Sequence, residues 1–253
     1  MNDLTRATQP HPSASDDFYA EALRQLARSQ IPFLLGGTFA VSMLTGLSRA
    51  TKDLDVFCRA GDFPRILEHF ASQGYDTAVE DERWIGKVAQ GDAVFDVIFN
   101  STCAVTPVTE SWFVEEWPAE VFGHRVRITP PTEMIWSKVF VQDRGRYDGA
   151  DIAHVLLKRH DAIDWRRLLA YMDQYWEVLL IHLLNFRFVY PSERDAVPAW
   201  LMDELAGRLA RRSGLPPPRT RVCRGRMFSR ADYRIDIAEW GFADVVGESG
   251  ASS

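Results

Sequence analysis

The stretch Phe33-Leu34-Leu35-Gly36-Gly37-Thr38-Phe39-Ala40, followed after twelve residues by Asp53-Leu54-Asp55-Val56-Phe57, decides the reading of this chain. A short apolar run over 31–35 is broken by Gly36-Gly37 and continued by helical spacing over 38–44, which predicts strand, tight turn, helix. Residues 54–58 are β-rich and predict a second strand. Residues 84–88 and 94–99 predict a hairpin turning at Gln90-Gly91-Asp92. Its second strand, carrying Asp96 in Phe95-Asp96-Val97-Ile98-Phe99, is apolar enough to lie at the centre of a sheet with both faces covered.

The carboxylates give this frame a chemistry. Side chains two apart on a strand share a face about 6–7 Å apart, so Asp53 and Asp55 are expected to project together while Leu54 and Val56 enter the core. Adjacent like charges are costly unless a cation neutralises them. Magnesium takes carboxylate oxygens together with phosphate oxygens. Asp96, on a neighbouring strand, supplies a third candidate ligand, which is the layout of a two-ion phosphoryl-transfer site. Gly36 and Gly37 end a strand and open a helix, so backbone N–H groups can face a phosphate with no side chain in the way. The Thr38 hydroxyl adds one donor.

Outward from this stretch, helices are expected at 16–28 and 63–73, the latter capped by Asp62, and a further hairpin at 120–128 around Gly123-His124. At Thr129-Pro130-Pro131-Thr132-Glu133 the character changes. A threonine cap and prolines in the first turn begin a helical series: 133–143, 150–159, 165–175, 177–189 and 199–212. Leu215-Pro216-Pro217-Pro218 reads as a stiff linker, and 233–242 as a short segment apolar on one side. The expected fold class is α+β: a small mixed β-sheet flanked by helices, followed by an all-helical C-terminal region. The divisions are a disordered N-terminus at 1–15, an α/β domain at 16–130, a helical domain at 131–215, and an arginine-rich segment and tail at 216–253.

The combination of strand, Gly-Gly, helix, Asp-x-Asp and later Asp resembles the signature of the DNA polymerase β-type nucleotidyltransferase superfamily, over about residues 31–100. It looks closest to the small bacterial members, the antibiotic nucleotidyltransferases and abortive-infection type toxins. The resemblance implies a fold of mixed sheet and helices and transfer of NMP from an NTP to an acceptor, with release of pyrophosphate. It assigns phosphate binding to Gly36, Gly37 and Thr38, metal binding to Asp53 and Asp55, and the role of third carboxylate and base to Asp96. The implied cofactor is Mg2+, as two ions, with the NTP as substrate. Toxin-type relatives carry a helix lysine and a later aspartate in similar order, which Lys138 and either Asp148 or Asp151 match.

Lys138 also stands out on its own residues. It lies mid-helix among apolar neighbours, where an unpaired ammonium is expensive. Triphosphate oxygens would satisfy it; the alternative is a stem on the core with its head in solvent, Asp148 and Asp151 then being turn and cap residues. Arg144 and Arg146 are either phosphate contacts or partners of Asp143 and Asp148. His160-Asp161 resembles a phosphohydrolase dyad without the further histidines that chemistry needs. His182 is expected to be a satisfied core histidine. Trp165, Tyr171, Trp176, Phe186 and Phe188 are expected to pack between helices. Trp112, Phe113 and Trp117 either line a pocket or anchor a loop.

Composition sets the limits. The chain has 253 residues, 46% hydrophobic and 25% charged, as in an ordinary globular protein. No apolar run reaches spanning length, and the polar start lacks a signal peptide's apolar core. The odd, scattered Cys58, Cys103 and Cys223 form neither a disulfide framework nor a zinc pattern. A cytoplasmic setting is expected. The net charge is −6, yet residues 208–234 hold nine arginines against Asp232 alone, leaving the rest of the chain strongly acidic. That segment is either a solvated surface or a dock for an acidic partner such as RNA. The expected acceptor is therefore a small molecule or an RNA. The competing function is a non-catalytic nucleotide- or partner-binding module of a toxin–antitoxin type pair. Nothing in the sequence dictates the NTP or the oligomeric state.

Overall fold

The computed structural model describes residues 14–246 apart from Ala50 and Lys52. The disordered lead-in expected at 1–15 lies outside the described residues, except that Ala14 and Ser15 open the first helix. The chain forms two compact units divided between Met134 and Ile135.

The first unit is α+β. Helix α1 (Ala14–Ser29) is amphipathic, and Phe18, Tyr19, Ala22, Leu23 and Leu26 are buried. Strand β1 (Leu34–Leu35), helix α2 (Gly37–Thr45), strand β2 (Leu54–Phe57) and helix α3 (Phe63–Ser72) follow, then β3 (Asp76–Asp81), β4 (Ile85–Gln90) and β5 (Ala93–Ile98). The sheet order is β1-β2-β5-β4-β3. The pairing of β2 with β5 is parallel; β1–β2, β4–β5 and β3–β4 are antiparallel. The sheet is mixed, as expected, and β5 is central. A second hairpin, β6 (Pro118–Val121) and β7 (His124–Arg127), joins β1 through Ile128, which bridges Leu35. Thr129 then fixes this junction: its N–H and hydroxyl both donate to the Leu35 carbonyl, at 2.8 and 3.0 Å.

Two local readings are corrected and one strand is added. The apolar run at 31–35 yields only two strand residues. Strand β3 carries no strand signal in its sequence: Asp-Thr-Ala-Val-Glu-Asp is polar and largely exposed, as an edge strand that deters further pairing can be. Asp62 does sit at the N-cap of α3, but its carboxylate makes no cap hydrogen bond. It receives Arg59 and Arg65 instead, each at 2.6 Å.

The second unit is mostly helical. Helix α4 (Pro131–Lys138) runs into it, followed by α5 (Gly149–Arg159), α6 (Trp165–Tyr171), α7 (Trp176–Val189) and α8 (Ala199–Ser213). A C-terminal segment then holds β8 (Val222–Cys223), the short α9 (Arg234–Ala238) and β9 (Ala243–Asp244), with β8 and β9 parallel. The helix expected at 133–143 stops at Lys138. The Asp143 carboxylate accepts from the N–H groups of Gly145 and Arg146 at 2.7 and 2.6 Å, a local turn that competes with helix. The helix expected at 165–175 likewise ends at Tyr171, and a 3-10 turn over Asp173–Tyr175 precedes α7. No described helix is long and apolar enough to cross a membrane.

Candidate active site

The register of the sheet brings two of the three predicted carboxylates face to face. Asp55 on β2 and Asp96 on β5 are direct partners in a parallel pair, so both side chains leave the same face of the sheet. Both are half-buried. Asp53 lies in the segment that leads into β2, exposed, with its N–H and carbonyl held by the Thr51 hydroxyl at 3.4 and 3.1 Å. The expected alternation of Asp53 and Asp55 along one strand is therefore only half realised, because the ladder begins at Leu54.

The glycine turn closes directly on this pair. Gly36 donates its N–H to the Asp55 carbonyl at 2.8 Å. Gly37 has φ +52, a left-handed backbone that disfavours a side chain. A Cβ there would stand 1.6 Å from Oδ2 of Asp55. A Cβ on Gly36 would stand 2.2 Å from the Phe57 ring. Both glycines are thus required by close approach, and the first turn of α2, with Thr38 half-buried in it, starts against the Asp55 carboxylate.

Two residues belong to this neighbourhood that the sequence pattern did not assign to it. Lys87 on β4 is the register partner of Asp96 across the antiparallel β4–β5 pair, completing a row Asp55–Asp96–Lys87 across three strands. Its ammonium lies 3.6 Å from Asp96 Oδ1 and 2.9 Å from Glu80 Oε2. Only sheet register could have revealed it. Tyr19, buried on α1, is the second. Burial pushes its phenol above the ordinary value, and the charges of Asp53, Asp16, Asp96 and Asp55 push in the same direction. All three predicted carboxylates therefore act on one phenol. Among the described residues, no three His, Cys, Asp or Glu side chains converge closely enough to form a ready metal cage.

The second unit holds the lysine constellation. Lys138 is buried rather than reaching solvent with its head. It pairs with Asp148 Oδ2 at 2.6 Å and Asp151 Oδ2 at 3.0 Å. The choice between the two aspartates dissolves, since Lys138 takes both. Asp148 sits at the N-cap of α5 without a side-chain cap bond. Burial would raise its pKa, but the charge and hydrogen bond of Lys138, reinforced by Arg146, outweigh this and hold it below the ordinary value. Arg146 lies 3.2 Å from Asp148, whereas Arg144 pairs with Asp232 at 3.0 Å rather than with Asp143.

The remaining candidates resolve as structure. His182 is buried, and its Nε2 lies 2.9 Å from the Val139 carbonyl. His160 and Asp161 sit in a 3-10 turn. Trp112 is fully buried against Phe57 and anchors its loop. Phe113 lies within reach of Arg59 and Arg127. The three cysteines are buried and free, and burial pushes the Cys58 thiol up to about 12, which leaves it unreactive. Much of the arginine-rich segment is internally paired: Arg208 with Glu204 and Asp173, Arg212 with Glu177, Arg226 with Asp244, and Arg221 over the Phe242 ring. Arg219, Arg224 and Arg234 are exposed, as is Arg211, which lies 3.8 Å from Glu204.

No protein-family model and no curated protein matches the chain. Solved structures overlap it distantly. A lincosamide antibiotic adenylyltransferase with lincomycin bound is 14% identical, over 56% of this chain and 96% of that one, with a TM-score of 0.40. The ANT(2″)-Ia complex with adenylyl-2″-tobramycin is 15% identical, over 70% and 99%, with a TM-score of 0.42. An antigenic nucleotidyltransferase-like protein from Paracoccidioides brasiliensis is 15% identical, over 72% and 91%, also with a TM-score of 0.42. These superpositions are too loose to carry an assignment, which therefore stands on the residues.

Proposed function

We propose that this chain is a nucleotidyltransferase that moves NMP from an NTP to an acceptor hydroxyl and releases pyrophosphate. The observation that carries this reading is the Asp55–Asp96 register pair with Gly37 pressed against the Asp55 carboxylate. Two carboxylates side by side on one sheet face repel each other, and a divalent cation relieves that repulsion. The donor set fits magnesium: carboxylate oxygens from Asp55 and Asp96, with Asp53 in the segment entering the same strand. Bound there, magnesium would neutralise triphosphate charge and polarise the α-phosphate.

The chain's own groups account for the rest. The N–H groups at the start of α2 and the Thr38 hydroxyl would meet a bound phosphate, and the glycines would leave room for it. Asp96 would accept the proton of the attacking hydroxyl. Lys87, on the far side of Asp96 from the glycine turn and 3.6 Å from its Oδ1, would hold that carboxylate in place from the neighbouring strand. The acceptor is a small molecule or an RNA. The exposed Arg211, Arg219, Arg224 and Arg234 support the RNA option, and the acidic remainder of the chain supports a small molecule. The alternative of a non-catalytic module is disfavoured by the presence of all three carboxylates together with the glycines.

The test is incubation with magnesium and each α-labelled NTP, alongside total tRNA, an aminoglycoside and lincosamide panel, and no added acceptor. Label transfer that disappears in Asp55→Asn supports the enzyme and identifies nucleotide and acceptor class together. Absence of both transfer and magnesium-dependent NTP binding would overturn the proposal in favour of the non-catalytic module.

A further inference from the structure

Helix α7 is apolar around its whole circumference: Trp-Glu-Val-Leu-Leu-Ile-His-Leu-Leu-Asn-Phe-Arg-Phe-Val. A helix of this kind is normally buried on every side. One side of α7 obeys, with Trp176, Leu179, Leu183 and Phe186 in the core of the second unit. The other does not. Ile181 is 43% exposed, Leu184 50% and Phe188 87%. At 100° per residue these three share one stripe with Glu177. Tyr147, itself exposed, adjoins the stripe, its hydroxyl accepting from Asn185 Nδ2 at 3.0 Å. Phe188 is expected from sequence to pack between helices of its own chain, and nothing among the described residues covers it.

We propose that this stripe is the seam of a two-fold homodimer, with α7 lying antiparallel against α7 of a second copy. Spacing is the first argument. Glu177, Ile181, Leu184 and Phe188 are separated by four, three and four residues, the alternation of a coiled-coil seam. That series reads the same in both directions. When two copies run antiparallel about a centre between His182 and Leu183, Ile181 of each meets Leu184 of the other, and Phe188 meets the stem of Glu177. A surface that complements itself under a two-fold is what an isologous dimer requires.

Charge is the second argument. The same register carries Arg187, beside Phe188, to Glu177 of the second copy, once at each end of the seam. Glu177 already lies 3.4 Å from Arg212 of its own chain, so the added guanidinium makes a three-membered network at the rim. Antiparallel helices also oppose their dipoles. A seam of one helix pair is small, so the dimer is a concentration-dependent one.

Sedimentation velocity of the full chain over a wide concentration range tests this. The expected result is a monomer–dimer equilibrium that Phe188→Glu abolishes without changing the circular dichroism spectrum, since Phe188 makes no core contact. Arg187→Glu should weaken association about tenfold or more, as loss of an anchoring interface residue does, and Glu177→Arg with Arg187→Glu should restore it. A wild-type chain that stays monomeric throughout would overturn the proposal and leave the stripe to a different partner. Phe188→Glu dimerising with an unchanged constant would place the interface elsewhere. Failure of the double charge reversal to restore association would reject the antiparallel register.

Discussion

At the scale of single residues, Gly37 is the most constrained position in the candidate site. Its positive φ acts together with its close approach to Asp55, whose Oδ2 lies 1.6 Å from where an alanine Cβ would stand. Gly37→Ala must therefore move either the turn or the carboxylate. Strain of this kind costs about 1–3 kcal/mol, and displacement of Asp55 by even a fraction of an ångström disturbs any ion it holds. The expected outcome is a stability loss in that range by urea unfolding, with NTP binding in magnesium reduced by about tenfold or more. Gly46→Ala is the control: it also has a positive φ, but a Cβ there meets nothing within 4 Å. If both variants lose stability and Gly37→Ala keeps full NTP binding, the turn is a fold element and not a phosphate cradle.

At the scale of elements, sequence patterns predict well where one local signal suffices and poorly where two compete. The strand–Gly-Gly–helix unit, the hairpin through Gly91 and helix α3 follow from apolar runs ended by glycine. Strand β3 has no such run, because an edge strand takes its hydrogen bonds from β4 and leaves its side chains in water. Helix α4 ends early because the chain after it folds back on itself: the Asp143 N–H donates to the Arg146 carbonyl at 2.9 Å and the Asp148 N–H to the Val141 carbonyl at 3.1 Å, an arrangement that replaces the helical bonds residues 141–143 would make. In the site, Asp55 and Asp96 are legible as carboxylates on strands. Their pairing, and the addition of Lys87, depend on which residues sit opposite each other, and register is invisible in one sequence. The Lys138 network is half legible: the sequence marks a costly ammonium and offers Asp148 or Asp151 beside it, but not that α5 and its cap deliver both to it. That network carries its own prediction. Lys138→Met takes the ammonium away from two buried carboxylates, leaving Asp148 beside the largely exposed Arg146, and breaking a buried pair costs about 3–5 kcal/mol. Asp151→Asn should cost clearly less in urea unfolding, because Lys138 keeps Asp148. Equal losses would mean that the network does not act through charge.

At the scale of the whole molecule, the second unit has an acid sensitivity that follows from two buried groups. Burial holds His182 below its ordinary value of 6.5, only partly opposed by its hydrogen bond to the Val139 carbonyl. The folded unit thus keeps His182 neutral at a pH where the unfolded chain has already bound a proton, and stability is lost as pH falls through 6.5 toward the folded value. Asp148 is held below its ordinary value of 3.8, because the charge of Lys138 outweighs the cost of burial. Its contribution is complete above 3.8 and is lost only as pH falls through the still lower folded value. The two losses are therefore separated in pH, with that of His182 first. The melting temperature of the wild-type chain should fall between pH 7.5 and pH 5, values bracketing the unperturbed histidine range of about 6.5. His182→Gln removes the titrating ring while keeping an N–H for Val139. It should melt lower at the higher pH and lose most of the fall between the two. Asp148→Asn should melt lower at both and keep the fall. A wild-type chain with the same melting temperature at both values, or a His182→Gln variant with an undiminished fall, would remove His182 as the origin of the acid sensitivity.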